Sequence, residues 1–244
     1  MKPSPTKIYH LLFSRFGPQH WWPMDMSHHQ QNNSDPRFEV IIGAVLTQNT
    51  SWSNVEIAIE NLKKKRLLSI NEINQCDIHQ LKILIRSSGF FNQKAKRLQT
   101  ISSFLQHYYE GDLDTFFSQP ISRIRSQLIS INGIGPETAD SILLYAGMKP
   151  VFVVDAYTKR LCHRLNLPVN PHSYNDIQRY FQHDLLQTHD EKQLVQVYNE
   201  CHAVIVGWAK NFCRKSNPIC SSCPLWHLCP IEKLGIHSSS RIFP

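Results

Sequence analysis

Four cysteines toward the C-terminal end, Cys213, Cys220, Cys223 and Cys229, fall in the segment CRKSNPICSSCPLWHLC with gaps of six, two and five residues. Four thiolates in one loop of 17 residues can wrap a single tetrahedral iron–sulfur or zinc centre. The other three cysteines, Cys76, Cys162 and Cys201, stand singly in apolar or helical surroundings and read as small buried hydrophobes.

A second pattern lies upstream in LISINGIGPETADSILLYA, Leu128 to Ala146. Gly133 and Gly135 permit a tight turn with close backbone approach, and Pro136 suits the first position of a following helix. Glu137 and Thr138 lie in its first turn. With a helix expected over Ile121 to Ile131, the segment reads as helix–hairpin–helix, spanning about 121–146. Such a turn aims backbone N–H groups at one point, where a phosphate can sit. Twenty residues after Gly135, at the end of the apolar run Val151 to Val154, stands Asp155. A carboxylate at the edge of a buried run loses solvation unless it is paired or used. Asp155 also suits the cap of a helix starting at Ala156, and capping does not exclude catalysis.

The hairpin, the aspartate and the four-cysteine loop, in that order, resemble the endonuclease III superfamily of helix–hairpin–helix DNA glycosylases, from about Phe38 to Cys229. The resemblance implies two α-helical domains with DNA and the target base at the cleft between them. One would be 38–150, containing the hairpin; the other would be 1–37 plus 151–244, containing the cysteine loop at 213–229. It further implies a 4Fe–4S cluster on the four cysteines and Asp155 as the catalytic carboxylate facing a flipped nucleotide. Gly133, Gly135, Thr138, Gln48 and Asn49 would contact DNA, and the partner would be double-stranded DNA carrying damaged bases.

Bifunctional members of that superfamily carry a lysine just after the hairpin, whose amine attacks the sugar and forms a Schiff base. Here the position is Glu137, which cannot form an imine. Ala44 to Thr50, Ser88 to Leu98 and Glu137 to Ala146 resemble one branch in particular, the 3-methyladenine DNA glycosylases related to endonuclease III. By that resemblance Trp52, Trp22, Pro23 and Glu137 line the base pocket, and Gln48 fills the gap left in the duplex. Members of the branch need not carry the cluster, whereas this chain keeps all four cysteines. The implied activity is hydrolytic removal of alkylated purines without lyase action. The alternatives are a bifunctional enzyme for oxidised pyrimidines, using Lys94, Lys96, Lys149 or Lys159, and a non-catalytic lesion binder.

The elements that must position these residues are helices. Apolar residues recur at helical spacing in Trp52, Val55, Ile59 and Leu62, in Ala95, Leu98, Ile101 and Leu105, and in Leu194, Val197, Cys201, Ile205 and Trp208. The β-like run Val151 to Val154 is short and reads as a buried connector, so the chain is expected to be all-α. Met24 to Asp35, with His28 and His29, is polar and expected to be a loop, and Lys63 to Arg66 a solvated helix end. The tail after Cys229 is expected to fray. A chain of 244 residues needs no metal merely to hold a core. The net charge of +7 suits a polyanionic partner. The N-terminus lacks a secretory apolar core, and no apolar run is long enough for a bilayer. A monomer in a reducing cytoplasm, associated with a bacterial nucleoid and away from membranes, is therefore expected.

Overall fold

A computed structural model describes residues 3–230 of the chain. The expected fraying of the tail lies outside the described residues, apart from Pro230. The helices are α1 (Pro5–Phe16), α2 (Met26–Asn32), α3 (Pro36–Leu46), α4 (Trp52–Lys64), α5 (Ile70–Gln75), α6 (Ile78–Leu84), α7 (Phe91–Tyr109), α8 (Leu113–Ser118), α9 (Ile121–Ser130), α10 (Pro136–Ser141), α11 (Ala156–Arg164), α12 (Tyr174–Leu186) and α13 (Leu194–Asn211). Among the described residues there is no β-strand. The architecture is all-α, as the periodicity requires.

The chain divides into two compact units, residues 22–149 and residues 1–21 with 150–244. The boundary thus falls between the adjacent tryptophans, Trp21 and Trp22, and not at residue 37. Residues 22–37 join the inner unit because their side chains are anchored there. The Trp22 ring lies over Gly43, where an added Cβ would come within 2.6 Å of its Cζ2. Asp35 caps α3 by accepting from the Arg37 backbone N–H at 2.9 Å.

The inner unit is built around α3, whose residues Phe38 to Leu46 are all buried. That explains the long apolar run: α4, α7 and the continuation of α10 pack around it. Past Ser141, α10 widens into one π-turn over Ile142–Ala146, all buried. Met24 to Asp35 is not a loop. It contains α2, capped by Asp25, which accepts from the His28 N–H at 3.1 Å. His29 is buried, with Nε2 2.8 Å from Glu39 and Nδ1 2.8 Å from the Ser34 hydroxyl. Polar composition alone misled here, because a buried His29–Glu39 hydrogen bond replaced the usual apolar anchor. Lys63 likewise is not a solvated helix end: its side chain is largely covered and its ammonium lies 3.1 Å from Glu60 and 3.7 Å from Glu39.

In the terminal unit α1, α11 and α12 pack on α13, which is buried over most of its length. The connector Val151 to Val154 is buried, with its backbone satisfied by α12 side chains rather than by a strand. Phe152 donates its N–H to Gln182 at 3.0 Å and accepts from Gln178 at 2.7 Å, and Val154 donates to the Tyr174 hydroxyl at 3.5 Å. The connector therefore delivers Asp155 to the start of α11 on a fixed track. Cys162 and Cys201 are buried as single hydrophobes, and Cys76 is half-buried.

Candidate active site

Five helices begin on an aspartate cap: Asp25, Asp35, Asp77, Asp112 and Asp155. Of these five only Asp155 is buried. Its Oδ1 accepts from the Thr158 backbone N–H at 2.7 Å and from the Thr158 hydroxyl at 2.9 Å. Its Oδ2 faces Nε2 of His202, on α13, at 3.5 Å. Burial pushes the Asp155 carboxyl upward, but His202 and the two Thr158 donors outweigh it and hold it below its ordinary value. Asp155 is therefore an ionised carboxylate at neutral pH, with one oxygen committed to the cap. His202 is absent from the sequence-derived candidates. It lies 47 positions downstream, within an apolar helix, and carries no local pattern.

The hairpin joins α9 to α10 through a turn in which Gly133 has φ +87°. A Cβ at Gly133 would displace the Arg97 guanidinium, and the conformation itself calls for glycine. Arg125 of α9 grips the buried Asp140 of α10 with two bonds, at 2.7 and 3.1 Å. Gln48 donates its amide to the Gly133 carbonyl at 3.0 Å and to the Thr138 hydroxyl at 2.8 Å, and accepts from Arg97 at 2.6 Å. Gln48, Gly133 and Thr138 are thus brought together, with the Gln48 side chain bracing the turn. Asn49 is exposed beside it in the left-handed conformation, at φ +54°. Gly135, at φ −90°, is the cap residue of α10, and Glu137 is exposed in the first turn of that helix.

Trp22 and Trp52 pack edge to face, with ring centroids 5.1 Å apart, and Tyr145 from the π-turn lies 5.3 Å from Trp22. Trp52 donates its indole N–H to Glu56 at 2.8 Å. Trp52 and Pro23 line an open cavity of about 410 Å³ with Asp25, Glu39, Glu56, Glu60 and Lys63, and Glu137 is not among its lining residues. Lys94 is buried, and its ammonium donates to the Leu46 carbonyl at 2.8 Å and the Ser88 carbonyl at 2.6 Å. That amine closes the end of α3.

None of the seven cysteines is joined in a disulfide. Among the described residues no three Cys, His, Asp or Glu side chains are gathered tightly enough to hold a metal ion. Two of the four expected cysteine ligands, Cys213 and Cys223, nonetheless receive N–H donors at sulfur of the kind metal thiolates use. Arg164, at the end of α11, donates to the Cys213 sulfur at 2.9 Å and to the carbonyls of Arg214 and Lys215 at 2.8 and 3.1 Å. Trp208 donates its indole N–H to the Cys223 sulfur at 3.2 Å, and Arg160 donates to the Cys213 carbonyl at 2.9 Å. Arg160, Arg164 and Trp208 also escaped sequence reasoning, because only the packing of α11 and α13 brings them to the loop.

Residues 42–185 match the HhH-GPD superfamily of base excision DNA repair proteins. The chain belongs to that superfamily. This HhH-GPD chain is 43% identical over 230 residues to MJ1434 of Methanocaldococcus jannaschii, provisionally named a DNA repair glycosylase, covering 91% of this chain and 94% of that one. It is similar to the structure of a Helicobacter pylori 3-methyladenine DNA glycosylase bound to 1,N6-ethenoadenine, with TM-score 0.72 and 30% identity over 85% of this chain and 98% of that one. A trapped covalent endonuclease III–DNA intermediate shares the fold at TM-score 0.73 and 22% identity, covering 96% of this chain and 99% of that one. The protein is thus a base excision DNA repair protein of the HhH-GPD superfamily. Among the described residues no helix is long and apolar enough to cross a membrane.

Proposed function

We propose that this glycosylase removes alkylated purines of the 3-methyladenine type from double-stranded DNA by hydrolysis, leaving the strand uncut. The observation that carries the reading is Glu137 in the first turn of α10, where a bifunctional enzyme needs an amine. Lys94 is no substitute, since its amine is buried and occupied by two carbonyls. Identity to the Helicobacter pylori enzyme supports the choice of base.

A purine methylated at N3 or N7 is cationic and leaves readily, taking the electron pair of the C1′–N bond. The paired indoles Trp22 and Trp52 would attract that cation, worth about 0.5–2 kcal/mol. Flipping the nucleotide costs a few kcal/mol, least for damaged bases. Asp155 would stabilise the positive sugar carbon. Water then adds to that carbon and gives its proton to the free carboxylate oxygen. Gly133, Gly135 and Asn49 would contact the DNA backbone, on a turn that Gln48 and Thr138 brace from within.

Cys213, Cys220, Cys223 and Cys229 would hold a 4Fe–4S cluster. The all-thiolate donor set fits it, as do the N–H donors of Arg164 and Trp208 aimed at sulfur. When bound, the cluster ties the loop together and takes no part in breaking the glycosidic bond.

The test is a panel of duplexes carrying methylated purines, hypoxanthine, uracil or thymine glycol, scored for released base with and without alkali, and for trapping by borohydride. Methylpurine release with breaks only after alkali, no trapped adduct, and loss of release in Asp155→Asn with DNA binding retained are the expected results. A borohydride adduct would mark a bifunctional enzyme instead. Abasic-site binding without any release would mark a lesion binder.

A further inference from the structure

We infer that His202 is a positioning residue for Asp155, holding the carboxylate oxygen that the helix cap leaves free. The inference rests on the proposed role of Asp155 and assigns what orients it. A carboxylate bound only through Oδ1 can still rock about its Cβ–Cγ bond and shift its second oxygen. In this structure Oδ1 takes both Thr158 donors, and the one imidazole nitrogen facing Oδ2 is His202 Nε2, at 3.5 Å. That distance is the outer limit of a hydrogen bond, and such bonds shorten when substrate binds.

The imidazole is itself held. His202 is buried, and the Trp21 ring meets it edge to face at 5.7 Å and 77°. Trp21 is in turn strapped along α13. Asn199 donates to the Trp21 carbonyl at 2.8 Å, while Glu200 accepts the backbone N–H groups of Gln19 at 2.8 Å and His20 at 3.4 Å. Asn199, Glu200 and His202 thus form one short stretch of α13 that fixes a chain segment, a ring and a carboxylate in succession. A buried, oriented imidazole beside a buried carboxylate needs a reason, because an apolar side chain would fill the same space without a desolvation cost. Orienting the carboxylate oxygen that takes the proton from the attacking water supplies one.

The experiment compares wild type, His202→Phe, His202→Gln and Asp155→Asn, each as the full chain with its iron content measured. Release of methylpurines from dimethyl sulfate-treated duplex is followed under single turnover, beside affinity for a duplex with a tetrahydrofuran abasic analogue and the melting temperature. His202→Phe should slow release about 10- to 100-fold, the scale of a misoriented reacting group, with affinity unchanged. His202→Gln keeps an N–H near the same place and should recover most of the rate. Should the Phe variant melt early, His202→Leu takes its place in the comparison. Release by His202→Phe at the wild-type rate, or Gln as slow as Phe in a stable protein, overturns the inference. Retained release by Asp155→Asn is a different failure, that of the proposed function itself.

Discussion

Two buried ionisable residues show how surroundings decide a side chain's chemistry. Asp155 is ionised because its lone pairs meet donors, so the pH must fall below the ordinary carboxylate range before it is neutralised. Lys94 is the converse. Burial, with Arg97 adding to it, pushes its ammonium down from 10.5 to about 8. From about pH 8 to 10.5 the unfolded chain therefore keeps a proton that the folded chain sheds, and Lys94 adds stability as pH rises through that window. Urea unfolding at stepped pH should show wild type gaining on Lys94→Met between those limits; parallel curves would remove the effect. Cys213 to Cys229 and Glu137 could be named as candidates from the sequence because type and spacing are local. His202, Arg160 and Arg164 could not, since their partners are distant in the chain and meet only through helix packing.

At the level of elements, the hairpin was legible from Gly133, Gly135 and Pro136, because a glycine turn before a proline-started helix is written in consecutive residues. Its bracing was not: Arg97 and Gln48 come from α7 and the end of α3. Gly133→Ala tests that bracing. A side chain at φ +87° costs about 1–2 kcal/mol before the collision with Arg97 is counted. Chemical denaturation should register at least that loss, together with weaker binding to any duplex regardless of lesion. A loss of only that size would mean that Arg97 yields freely, and a variant as stable as wild type would refute the strained turn. Helix α2 was missed for the opposite reason. Its sequence is polar throughout, yet Asp25 starts it and the buried His29–Glu39 pair fastens it.

For the molecule as a whole, the all-α class followed from periodicity, whereas the division at Trp21–Trp22 did not, since neighbouring indoles carry no sign of separate destinations. The cysteine loop belongs wholly to the terminal unit, so its integrity can be tested apart from the hairpin. Purified protein should carry about four iron and four sulfide per chain. Cys220→Ser should lose both, and trypsin should then cut faster after the exposed Arg214 and Lys215, whose carbonyls Arg164 holds. Iron content unchanged by the substitution would refute the assignment of that ligand.

Helix α11 begins on the carboxylate at Asp155 and ends on Arg164, whose guanidinium fans over the loop. Nine residues of helix make a strut about 14 Å long. A stiff rod anchored at both ends carries a push from one to the other, so loosening at the sulfur end need not unfold anything to be felt at the cap. Injury to the loop would then surface first as a slower enzyme and only afterwards as a less stable one.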